Sequence, residues 1–337
     1  MWETNPNLKL DENGMDLCER YFYQVGLPML EERFGDELDH IAAGLVGEGS
    51  ECFGFDDAIS TDHDWGPSFC LWLTDEDYDR FGAQLAAAYD ELPEEFEGRR
   101  FARHREQAAG RRGVLRISSF YAKFLGRPTV PESPLDWLRL PESYLAVATN
   151  GKVFADPVGE FSRIRNALLG FYPEDVRRKK LAAQVATMAH TGQANFCRVM
   201  ARFDTVAASM ARAQFIEAAM KVTYLLNHRY ALYYKWMWRG LRELSVLPEM
   251  PELIRQLAEA PLDAAAWKNV GSNVSTMPPN TADASVNLME KICALVAGEL
   301  TRQGLSNATS TYLEDHAYAV QASIESPQVR GLNLLLG

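Results

Sequence analysis

From about Tyr172 onward the apolar residues recur at helical spacing in one stripe after another. Leu181, Val185, Met188, Phe196, Val199 and Phe203 form one stripe, with Gly192 filling the same face. Val206, Met210, Ala213, Met220 and Tyr224 form a second. Tyr230, Tyr234, Met237, Leu241 and Leu244 form a third, and Val286, Met289, Ile292, Val296 and Leu300 a fourth that Gly304 ends. Such stripes bury one face of a helix against other helices. Thr311 and Glu314 have the spacing of a capping box for a last helix.

The first half reads differently. "MDLCERYFYQVGLPMLEERF" (15–34) suits a helix that Pro28 kinks or ends. "HIAAGLVGEGS" is a short apolar run ending in glycines, as a buried strand entering a tight turn would be. "PSFCLWLT" (67–74) is a second strand, after which Thr74 caps a helix with acids in its first turn. "RISSFYAKFLG" (116–126) is a helix closed by Gly126, and a Pro-rich loop follows it. Asn150-Gly151 turns the chain into the strand "KVFADP". "SYLAVAT", just before that turn, fits strand and helix equally. The expectation is an α+β chain: a small mixed sheet in residues 1–170, with an N-terminal helix, followed by an all-helical bundle in 171–337.

Composition removes several functions. The chain of 337 residues is 47% hydrophobic and 24% charged, as soluble globular chains are. No run approaches the ~20 apolar residues of a membrane span. The polar, acidic start resembles neither a signal nor a transit peptide, so a cytoplasmic protein is expected. The five cysteines are scattered without a C-x-x-C pair, which points to reduced, buried residues. A net charge of −12 opposes general nucleic-acid binding. Against that charge, Gly98 to Arg116 carries seven arginines, read either as a solvated face or as an anion site beside an acidic centre. No G-x-x-x-x-G-K-[ST] loop occurs, and the six histidines lack the spacings of a metallohydrolase.

The chemistry lies in "GEGSECFGFDDAISTDHDWG" (47–66). Asp62 and Asp64 are two apart, so in an extended segment both carboxylates share a face, and a divalent cation relieves their repulsion. His63 then faces the domain, where it would hydrogen-bond a carbonyl or Asp57 and would not ligate metal. Asp56 and Asp57 sit in a glycine-flanked turn and read as backbone caps. Gly49-Ser50 follows a strand, with eleven residues between Ser50 and Asp62. Glycine admits a phosphate close to the backbone, and serine adds two donors.

This pattern resembles the signature of the polymerase-beta-like nucleotidyltransferases. With "NGKVFADPVGEF", "FYPEDVRRKKLA" and "LLNHRYALYYKW" it resembles, over residues 45–240, a largely uncharacterised bacterial nucleotidyltransferase-like family with a helical domain of the kanamycin-nucleotidyltransferase kind. The resemblance implies that Gly49 and Ser50 hold a triphosphate and that Asp62 and Asp64 hold Mg2+ or Mn2+. It implies a third carboxylate, Asp156, as metal ligand. NMP, AMP from ATP in the first instance, would pass to an unidentified hydroxyl acceptor with release of pyrophosphate. His63 and Gly66-Pro67 depart from the wider pattern.

Developing charge on the phosphates calls for cations. Lys152, Arg163, Arg165 and the Arg177–Lys180 cluster are candidates, although a run such as "RRKK" also suits the wet face of a helix. In "NHRYALYYKWMW", Tyr230 or Tyr234 could stack on a base and Lys235 meet a phosphate, or the stripe could be core. The alternative to an enzyme is a catalytically silent member of the fold that senses nucleotide or binds a partner.

Overall fold

The computed structural model describes residues 10–62, 65–101, 110–271 and 279–337, with the backbone alone at Asp62. It is α+β: a small mixed four-stranded sheet in the N-terminal part, then a largely helical region. The chain divides into two compact units, residues 1–131 with 143–170, and residues 132–142 with 171–337.

In the first unit the strands of this sheet are β1 (Ala42–Leu45), β2 (Cys70–Leu73), β3 (Gly113–Arg116) and β4 (Lys152–Ala155), in the order β3-β2-β1-β4. β1 is antiparallel to β2 and β4, while β2 is parallel to β3. β1 and β2 are buried along their whole length. On one face α1 (Gly14–Tyr21), α2 (Leu27–Arg33), the turn between them and α3 (Asp75–Asp90) pack Tyr21, Phe22, Leu30 and Leu85 over Ala43, Leu71 and Leu73. On the other, Trp72 stacks on Phe161 at 3.9 Å between ring centres, beside Phe120. Helices on both faces explain why these strands read as unbroken apolar runs.

Local signals hold where the chemistry is local. Thr74 accepts a hydrogen bond from the Asp77 amide, and Gly126 ends α4 (Ile117–Leu125) in the left-handed region. Pro28 does not break its helix: a π-turn, Phe22–Gly26, absorbs the missing donor between α1 and α2. "SYLAVAT" is helical, within α6 (Glu142–Thr149).

In the second unit α5 (Pro134–Arg139) and α10 (Leu313–Ala322) pack on α8 (Glu174–Met188), as does α9 (Thr205–Leu226). Val206 and Met210, expected in the core, are exposed, because α9 turns Ala208, Ala211 and Phe215 inward instead. The expected capping box is also absent. The Leu313 amide donates to Gln193, and Glu314 pairs with His190.

The largest correction concerns "RRKK", which is no wet face. Arg177, Lys179 and Lys180 are buried. Arg177 pairs with Glu174, and Lys180 lies 3.5 Å from Glu142. Lys179 is fully buried and donates to the Leu334 carbonyl at 2.9 Å. Burial lowers the Lys179 pKa to about 8. Its unfolded value is about 10.4, so between those two values the unfolded chain binds more protons and stability rises with pH. Urea midpoints taken across that window should climb for the wild type relative to Lys179→Met; parallel profiles would show that Lys179 is not held this way. Among the described residues, no helix is long and apolar enough to cross a membrane.

Candidate functional site

Strand directions bring four segments to one end of the sheet. The chain leaves β1 there through Val46–Ser50. It enters β2 through Gly66–Phe69, β3 through Arg111-Arg112, and β4 through Asn150-Gly151.

The turn after β1 is clamped from the β4 side. The Gly47 amide donates to Asn150 Oδ1 at 2.9 Å, and Asn150 Nδ2 donates back to the Gly47 carbonyl at 2.8 Å. The Gly151 amide donates to the Cys52 carbonyl, and a Cβ at Gly151 would lie 1.9 Å from the Leu45 carbonyl oxygen. Only glycine permits that approach. Arg165, a candidate phosphate ligand, instead donates to the carbonyls of Thr149, Asn150 and Gly151. It is a brace for the clamp.

Gly49 and Ser50 lead directly into a short 3-10 turn, Glu51–Phe53. Gly49 has φ +133°, and the carboxylate it approaches belongs to Glu51. Glu51 is buried and pairs at 2.6 Å with buried Arg112. Glu48 pairs with Lys123 at 2.6 Å and Arg111 at 3.2 Å. Cys18, Cys52 and Cys70 are buried and free in the same neighbourhood, and burial pushes the Cys18 thiol up to about 12. A thiol so shifted is no nucleophile at neutral pH.

The expected strand geometry of Asp62-x-Asp64 does not hold at Asp62, which closes a 3-10 turn, Ser60–Asp62. β2 starts only at Cys70, after Gly66 at φ +141°. The period-two argument therefore does not apply at Asp62, whose side chain lies outside what is described, as do His63 and Asp64. Asp57, expected beside His63, accepts from the Ile59 and Ser60 amides. Asp56 accepts from the Gly14 amide and from Trp65 Nε1, tying α1 to the residue after Asp64.

Asp156 is not brought to the Gly49-Ser50 turn. β4 runs antiparallel to β1, with Lys152 opposite Leu45 and Ala155 opposite Ala43, so Asp156 lies beyond the other end. Its carboxylate accepts from the Gly159 amide at 3.0 Å and the Ser162 amide at 2.7 Å, capping α7 (Glu160–Leu169). Asp156→Ala should cost about 1 kcal/mol, the usual loss for a cap, as read from urea unfolding. A variant as stable as wild type would contradict this capping role.

Lys152 stands at the Gly49 end but is paired with Glu19. Arg163 is exposed on α7. In the second unit, Tyr230 is buried while Tyr234 is 75% exposed and Lys235 is exposed over the Trp236 ring. The aromatic stripe is thus divided between core and surface. Sequence reasoning missed Arg112, Glu51 and β3. The apolar pair Val114-Leu115 inside the arginine run was the available signal for the strand.

Residues 137–237 match a family described as a domain of unknown function, DUF4037. That stretch includes Asp156, Arg163 and Tyr234 but not Gly49, Ser50, Asp62 or Asp64. No curated protein matches the chain. A solved nucleotidyltransferase-like protein from Exiguobacterium sibiricum 255-15 is similar at 10% identity and a TM-score of 0.35, over 91% of this chain and 81% of that one.

Proposed function

We propose that the chain is a metal-dependent nucleotidyltransferase that moves NMP, AMP from ATP in the first instance, to a hydroxyl acceptor. The observation that carries this reading is the gathering, at one end of the sheet, of the Gly49-Ser50 turn and the entry to β2 behind Asp62-x-Asp64.

The described carboxylates near that end are already engaged: Glu48 and Glu51 by cations, Asp56 and Asp57 by hydrogen bonds. Among the described residues, no group of three His, Cys, Asp or Glu side chains could hold a metal ion. On this reading Asp62 and Asp64 hold Mg2+ or Mn2+. Bound there, the ions would supply charge stabilisation for an in-line displacement at the α-phosphorus.

The chain's own part is positional. The Gly47 and Gly151 clamp fixes the turn, and the Gly49 and Ser50 amides with the Ser50 hydroxyl hold the triphosphate. The acceptor oxygen bonds to the α-phosphorus as the bond to the β-phosphate bridge breaks. Pyrophosphate leaves, and the hydroxyl proton goes to solvent.

One observation favours a second reading, a silent nucleotide-sensing module: Glu51 already lies against Gly49. Melting temperature with each NTP separates the two. The enzyme reading expects stabilisation that requires Mg2+ or Mn2+ and disappears with EDTA. Stabilisation that EDTA leaves unchanged supports the sensor, and none with any NTP defeats both.

A further inference from the structure

The Gly49 turn already holds an anion, and it is the chain's own. A Cβ at Gly49 would lie 2.4 and 2.6 Å from the two carboxylate oxygens of Glu51. The close approach that glycine allows is therefore made to a buried carboxylate. Arg112 neutralises it through Nη2 at 2.6 Å, and the same nitrogen donates to the Glu48 carbonyl at 3.0 Å. Arg112 Nη1 donates to the Arg111 carbonyl. The Nε of Arg112 is buried and has no hydrogen-bond partner among the described residues. Buried donors are nearly always satisfied, so an orphaned guanidinium N–H beneath this turn points to an acceptor that completes it.

A guanidinium meets carboxylate and phosphate with the same planar fork, and a polyphosphate offers more charge and more oxygens. We propose that Glu51 is the resident anion of the Gly49 turn and that Arg112 is a phosphate ligand, released to a nucleotide's polyphosphate when Glu51 gives way. This rests on the nucleotide reading of the turn and adds a residue and a competitor to it. Part of the arginine run thus serves as an anion site. Glu51 sets the affinity, because every polyphosphate must first displace it.

The test uses the full chain with magnesium tripolyphosphate as probe. In calorimetric titration, Glu51→Gln should bind about tenfold tighter than wild type, since the amide keeps the shape and removes the competing charge. A second measurement follows the wild type itself. The Arg112 Nε–H resonance of the wild type, assigned by its absence in Arg112→Lys, should move downfield as tripolyphosphate is added. If the Gly49 and Ser50 amides shift while Arg112 Nε–H stays put and Glu51→Gln is no tighter, the turn binds phosphate and the inference is wrong. If neither the wild type nor Glu51→Gln binds tripolyphosphate, the nucleotide reading falls and the inference with it.

Discussion

Asp64→Asn should release pyrophosphate from ATP at least about a hundredfold more slowly than wild type, given a preparation that contains an acceptor. Removing one preorganised stabiliser of transition-state charge costs roughly 10²–10³ in turnover, and a carboxylate that holds a catalytic metal belongs in that range. Asparagine keeps the volume and gives up the charge, and a melting temperature equal to that of wild type would place the loss on chemistry. Asp62→Asn should behave alike. Asp57→Asn should not, because Asp57 spends its carboxylate on the Ile59 and Ser60 amides. A coupled pyrophosphate assay reads all three, and equal rates for Asp64→Asn and wild type would remove the metal assignment.

The second large effect is on stability. Arg112→Met should destabilise the first unit by about 3–5 kcal/mol, the usual result of stripping one partner from a buried ion pair. Both side chains are 5% exposed, so water cannot rescue Glu51. The double variant Glu51→Gln/Arg112→Met should recover most of the loss, because the uncompensated charge is gone. Guanidinium unfolding followed by tryptophan fluorescence would show this. A single variant within about 1 kcal/mol of wild type, the range of an exposed pair, would mean that the pair is solvated in solution.

How much of this was legible in the sequence depends on the range of the interactions involved. Thr74, Gly126 and Asn150-Gly151 marked their elements because a cap or turn is settled within a few residues. The apolar runs marked β1 and β2 because both faces of the sheet are covered. The Arg177–Lys180 run misled because its burial depends on Glu142, Glu174 and the Leu334 carbonyl, which no local pattern announces. Asp156 misled for a topological reason. A carboxylate at a strand end is equally conspicuous at either end, and only the antiparallel register places it away from Gly49. Glu51 and Arg112 lie 61 positions apart, and their pairing needs β3 beside β2. Gly49-Ser50 was legible as an unusual turn, but that its glycine faces a carboxylate of the chain itself was not.

On the proposed reading, the Gly49 end of the sheet binds nucleotide together with metal through Asp62 and Asp64. Manganese electron paramagnetic resonance measures this directly, because the signal of free Mn2+ falls as the ion is bound. With a non-hydrolysable ATP analogue present, wild type should remove free Mn2+ signal beyond what the analogue removes alone, and the Asp62→Asn/Asp64→Asn double variant should remove no such excess. Equal removal by the two proteins would contradict it.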